Sequence, residues 1–167
     1  MNGENIQALE DCQREILKIE DWINHHQLDS NIKFLVSYAV IKASGTIEAV
    51  LKSSLYEYLS KNAMEETKSF LQKNILEASF NPSTKQVSNI FDKLNSSWSQ
   101  IFLEQTKSLQ EKTDLNSLVS LRNDFSHGSS ITTSIQTVKR YFFSGKRILE
   151  IIDDIILDKE ASVAGGD

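Results

Sequence analysis

Between residues 30 and 60 apolar side chains recur at intervals of three and four: Ile32, Leu35, Val36, Ala39, Val40, Ala43, Ile47, Val50, Leu51, Leu55, Tyr58 and Leu59. That period keeps them on one face of a helix, and a strand would scatter them over both of its faces. About thirty residues of helix run about 45 Å, the length of a bundle's spine. Only one proline and six glycines occur in 167 residues, so few positions favour a break. Long helices joined by few loops are the expectation. The small pair Ser44-Gly45 interrupts the stripe and predicts either a close helix neighbour or a bend.

The same period continues elsewhere. Ile6, Leu9, Cys12, Ile16, Ile19 and Ile23 mark a first helix over about 4–26, closed by His25 and His26. Adjacent residues on a helix point about 100° apart, so that pair is expected at a solvated helix end rather than on a metal. Further helices are predicted over 64–79, over 85–95 after Asn81-Pro82-Ser83, and from Trp98 to Leu109. Asp114 is placed to cap a helix from Leu115, and Thr133 with Gln136 fits a capping box for a last helix over about 133–158. The expectation is an all-α, up-and-down bundle of five to seven helices in one domain, residues 1–160, with 161–167 as a flexible tail.

Composition narrows the classes. Apolar residues are 40% and charged residues 25%, the balance of a globular chain long enough to bury a core without staples. Cys12 is the lone cysteine, so no intrachain disulfide and no thiolate zinc cluster can form, and a buried thiol is expected. No metal or other cofactor is called for. No continuous apolar run approaches the ~20 residues of a membrane span, and the first residues do not read as a secretion signal. A cytoplasmic location without membrane contact is expected. The net charge of −5 argues against general charge-driven binding to nucleic acid but leaves room for a local basic strip.

One segment carries chemistry. Leu121-Arg122-Asn123-Asp124-Phe125-Ser126-His127-Gly128 places an arginine and a histidine five positions apart where one helix ends. Histidine titrates near neutrality and can act as base or acid. Arginine stays charged and offers a planar fork to phosphate oxygens. On an ideal helix Arg122 and His127 lie about 140° apart, while Asn123 and His127 lie about 40° apart. Asn123 can thus hold the imidazole or touch a substrate, and Ser126 shares the Arg122 face. Asp124 can orient Arg122 or stay solvated, and Phe125 is expected to pack inward. For Arg122 to meet His127, the helix must loosen after Phe125 or the two must serve different protomers.

This Arg-x4-His segment, set before a long final helix and after a long second helix with Glu48 in its apolar stretch, resembles the HEPN superfamily. Among its members the small bacterial RiboL-PSP and MAE types are the most similar. The helix order covers most of the chain, the motif about eight residues. The resemblance implies a metal-independent endoribonuclease that acts as a toxin, a defence effector or a part of an RNA-processing assembly. It assigns phosphate binding to Arg122 and proton transfer to His127, and it implies a homodimer whose seam completes the site. RNA is then the substrate, with an antitoxin or regulatory protein as a further expected partner.

Plainer readings stand beside these. His127 can interact with the last helix carbonyls. Arg122 can pair with Asp124 or Glu48 for structure alone, and Glu48 can pair with Lys52 on the surface. Lys139, Arg140, Lys146 and Arg147 repeat at a spacing of seven with Tyr141 and Phe143 nearby, a candidate strip for an RNA backbone or simply a solvated face. The alternative function is a non-catalytic helical module that dimerises or binds another protein.

Overall fold

The computed structural model describes the backbone of residues 1–163 and the side chains of residues 1–157. Among these residues the chain forms seven α-helices and no strand: α1 (Gly3–His25), α2 (Ile32–Ser60), α3 (Glu65–Leu71), α4 (Thr84–Leu94), α5 (Ser96–Thr106), α6 (Gln110–Ser126) and α7 (Ile135–Val163). A π-helical turn, Gln72–Leu76, extends α3. The all-α bundle expected from the periodicity is what the chain forms.

Cross-helix side-chain contacts give the directions. Asn5 pairs with Ser54 and Glu15 with Lys42, so α1 and α2 are antiparallel. Glu20 pairs with Lys139 and Gln13 with Lys146, so α7 is also antiparallel to α1. Gly145 lies against Ile47 and Leu115, which sets α7 between α2 and α6. One end of the bundle therefore gathers the C-termini of α1 and α6 with the N-termini of α2 and α7. The helical hairpin α4–α5 packs beside this frame through Phe91, Trp98 and Phe102, whose rings meet edge to face.

The core is continuous across the four long helices. Cys12, Ala39, Val40, Ala43, Ile47, Leu118, Val138, Phe142 and Ile148 are all buried in it. Burial pushes the Cys12 thiol pKa up, which keeps it protonated and inert, as expected of a small core residue. By length and mean hydropathy α2 is long and apolar enough to cross a membrane, a reach that the count of continuous apolar residues did not show. Here half of that stretch is buried inside the bundle.

Several local expectations need correction. Ile6 is exposed, and Asn5 takes the inner position because its amide bonds Ser54 Oγ at 3.2 Å. Asp114 is no cap: α6 begins at Gln110, since Gln110-Glu111-Lys112 are good helix formers and extend the helix by a turn. Asp114 is instead buried within it. Ser134, not Thr133, caps α7, accepting from the Thr137 amide at 3.1 Å. Gly45 meets nothing within 4 Å and α2 continues through it, so of the two expectations there the close neighbour is absent; a close approach is found at Gly145. The boundary expected at 161 falls inside α7, and residues 164–167 of the expected tail lie outside the described residues.

Candidate functional site

The motif sits where α6 stops. The helix is regular through Ser126, and His127 is its C-cap, with φ −94° and ψ 11°. The His127 amide donates to the Asn123 and Asp124 carbonyls at 3.1 and 3.2 Å. Gly128 follows at φ 87°, the left-handed conformation that suits glycine at a helix end. The helix therefore does not loosen after Phe125, and Arg122 and His127 stay on different sides of α6.

Arg122 reaches away from the helix end. Its Nη1 donates to Asn81 Oδ1 at 3.1 Å and to Asn123 Oδ1 at 3.4 Å, and its Nη2 lies 3.8 Å from Glu48 Oε2. Glu48 is in turn 2.6 Å from Lys52 Nζ, and both of those side chains are nearly buried. Both sequence expectations for Glu48 are thus met by one carboxylate, although its Lys52 pair lies beneath the surface. A hollow of about 350 Å³ opens beside it, lined by Gly45, Glu48, Ala49, Lys52 and Leu76. The guanidinium retains about a third of its side-chain exposure. It is held in place with part of its surface open to solvent.

The imidazole of His127 is exposed and makes no hydrogen bond or ion pair among the described residues. Asn123 holds Arg122 rather than the imidazole. Asp124 does not reach Arg122; its carboxylate accepts from Ser120 Oγ at 3.4 Å. Ser126 donates its hydroxyl back to the Arg122 carbonyl at 2.9 Å, a local helix contact. Phe125 is 38% exposed although it lies on the same face as buried Leu118, because it sits in the last turn of α6, beyond the buried residues of that helix.

The four cations of α7 form two lines. Lys139 and Lys146 face α1, where they bond Glu20 at 2.6 Å and Gln13 at 2.9 Å. Arg140 lies 3.3 Å from buried Asp114, and Arg147 pairs with Glu150 at 2.9 Å. Three of the four therefore have a carboxylate at hand. At the end of α1 His25 and His26 each bond the carbonyl four residues back, at 2.8 and 2.7 Å, and His26 stacks on Trp22. Among the described residues no three His, Cys, Asp or Glu side chains gather as a metal site.

Sequence reasoning missed Asn81 and the depth of Lys52. Asn81 reads as a helix stop because Pro82 follows it, and nothing in its spacing from Arg122 announces their contact. Lys52 is four residues from Glu48, a signal for the pair but not for its burial.

An all-α bundle with Arg-x4-His closing its penultimate helix is the architecture of a HEPN domain. The chain belongs to the RiboL-PSP-HEPN family, whose model matches residues 8–158. No curated protein and no solved structure matches the chain.

Proposed function

We propose that this chain is a metal-independent endoribonuclease in which Arg122 binds and stabilises the reacting phosphate and His127 transfers a proton. The observation that carries the reading is that the motif's guanidinium is anchored while its imidazole, five residues on at the end of the same helix, has no partner among the described residues. Attack of the ribose 2′-hydroxyl on the neighbouring phosphorus needs a base for that proton, an acid for the departing 5′-oxygen and a cation for the charged intermediate. An exposed histidine suits the first or second task. An arginine already fixed by Asn81 and Glu48 suits the third, since little ordering remains to be done when the charge develops.

Arg122 and His127 do not meet within one protomer, so within one protomer no proton-transfer group stands beside Arg122. We take the working enzyme to be a homodimer in which the ends of two α6 helices complete each other. The exposed row Phe34, Tyr38 and Ile41 on α2 favours a second reading, a non-catalytic module that offers this face to another protein.

The test is purified protein incubated with total RNA in EDTA. Cleavage that leaves a 2′,3′-cyclic phosphate on the upstream fragment, with DNA untouched, is the expected result. Cleavage that stops in EDTA and returns with added metal overturns the mechanism. A folded protein inert on every RNA supports the interaction module.

A further inference from the structure

Resting on the ribonuclease reading, we propose that the hollow between Phe34 and Phe125 is a nucleobase subsite, so the substrate is single-stranded RNA with one base unstacked beside His127. The hollow holds about 310 Å³ and is walled by Lys33, Phe34, Phe125, Gly128, Ser129 and Ser130. That is the small end of the range of about 300–1,000 Å³ for small-ligand sites. Phe34 is 63% and Phe125 38% exposed, so both rings offer surface to a flat heterocycle.

Its position ties it to the motif. Phe125 comes two residues before His127 and Gly128 directly after it, so the wall of the hollow runs through the end of the motif. Gly128 at φ 87° turns the chain back and lets Ser129 and Ser130 form the far side. His127 does not itself line the hollow, but it lies in the chain between Phe125 and Gly128, which do, so a nucleotide seated there has the end of the motif as its border.

The charge of the hollow distinguishes it within an acidic protein. No carboxylate lines it. The Lys33 ammonium lies 5.0 Å from the Phe34 ring centroid and has no ion pair among the described residues. Arg122, Lys52, Lys139 and Arg140, by contrast, each have a carboxylate within 4.0 Å. The hydroxyls of Ser129 and Ser130 have no partner among the described residues and can serve a base edge or a 2′-hydroxyl. A cation, two aromatic faces and free hydroxyls fit a nucleotide better than they fit the apolar side of a second copy.

The experiment measures binding of a short fluorescent single-stranded RNA of mixed sequence to the His127→Ala protein by anisotropy, so that cleavage does not intervene. Adding Phe34→Ala, or Phe125→Ala, is expected to weaken binding roughly ten-fold or more, as loss of a stacking face does. Phe34→Tyr should retain it, and the same sequence as a duplex should bind poorly because its base faces are covered. Phe34 is exposed, so the melting temperature should hold. Equal binding by the Phe34→Ala and parent proteins, or by duplex and single strand, overturns the proposal. So does a fall in mass from dimer to monomer on Phe34→Ala, which would make the hollow a seat for a second copy. RNA bound through Phe34 by a protein whose wild type cuts nothing would leave the subsite standing and end the ribonuclease reading. Wild-type cleavage with an unchanged KM in Phe34→Ala would do the reverse.

Discussion

The Arg122 guanidinium stands 3.8 Å from the carboxylate of Glu48, and that same carboxylate is 2.6 Å from Lys52. One anion thus sits between two cations, and the arrangement joins the spine of the bundle to the motif helix. Asn81, from the loop before α4, closes the third side of the guanidinium. The direction of Arg122 is therefore set by two segments distant in sequence, α2 and the loop before α4, which is how a flexible side chain acquires one conformation.

Because Glu48 and Lys52 are nearly buried, removing one partner leaves the other charge poorly solvated. Glu48→Gln should destabilise the fold by about 3 kcal/mol, the low end for a broken buried pair. Lys52→Met in the same chain should recover part of that loss, since the uncompensated ammonium is then gone. Urea unfolding of the two single variants and the double variant measures this coupling. Strictly additive losses would show that the pair is energetically inert.

The two helical glycines separate propensity from packing. Gly45 faces open space, so Gly45→Ala should stabilise by about 0.5–1 kcal/mol, as alanine does in an exposed helix. A Cβ on Gly145 would meet Ile47 Cδ1 at 2.9 Å and Cγ1 at 3.1 Å. Gly145→Ala carries the same helix gain of about 1 kcal/mol but adds an overpacking cost of about 1–3 kcal/mol. Its net effect should be destabilising, and Gly145→Val more so. Thermal melts of the three variants decide it, and a Gly145→Val protein as stable as wild type would deny the close approach of α7 to α2.

The contrast between those glycines shows what the sequence could convey. The stripe on α2 and the period of α7 fixed which faces turn inward, because burial repeats at helical spacing whatever the neighbour is. Gly45 misled because a small residue inside an apolar stripe marks an approach only if a partner faces it, and spacing within one helix carries no information about that. Asp114 misled for a related reason. An acidic residue ahead of Leu115 looks like a cap, yet the helix formers before it carry α6 one turn further and turn the carboxylate inward. The motif was legible from Arg122 to Gly128, whereas Asn81 was not, because 41 residues separate it from the arginine it holds.

Asp114 offers its own test. Its carboxylate accepts from Ser144 Oγ at 3.0 Å and from Gln110 Nε2 at 3.1 Å, and Arg140 Nε lies 3.3 Å away. Asp114→Ala should cost about 2 kcal/mol, because it leaves the buried Ser144 hydroxyl without its acceptor, while the exposed Arg140 guanidinium stays hydrated. Asp114→Asn keeps the shape and one acceptor and should lose roughly half as much. Chemical denaturation checks both, and equal losses would place the whole effect in the charge rather than in the hydrogen bonds.

The catalytic assignment rests on His127 and Arg122 failing separately and for different reasons. His127→Ala should lower RNA cleavage by roughly 10²-fold or more, with the melting temperature unchanged because the imidazole has no partner to lose. Arg122→Ala should lower cleavage comparably and also reduce stability slightly, because Asn81 and Glu48 lose a donor. Arg122→Lys can restore the ion pair with Glu48 but not the planar fork, so stability should return while cleavage stays low. Mixing the two dead variants then tests how the site is assembled. If each site draws Arg122 from one protomer and His127 from the other, random mixed dimers hold one intact site, and about a quarter of wild-type activity should return. Mixing that restores nothing would overturn the arrangement in which each site draws one group from each protomer. A His127→Ala protein that cuts as fast as wild type would remove histidine from the mechanism and leave any cleavage to another source.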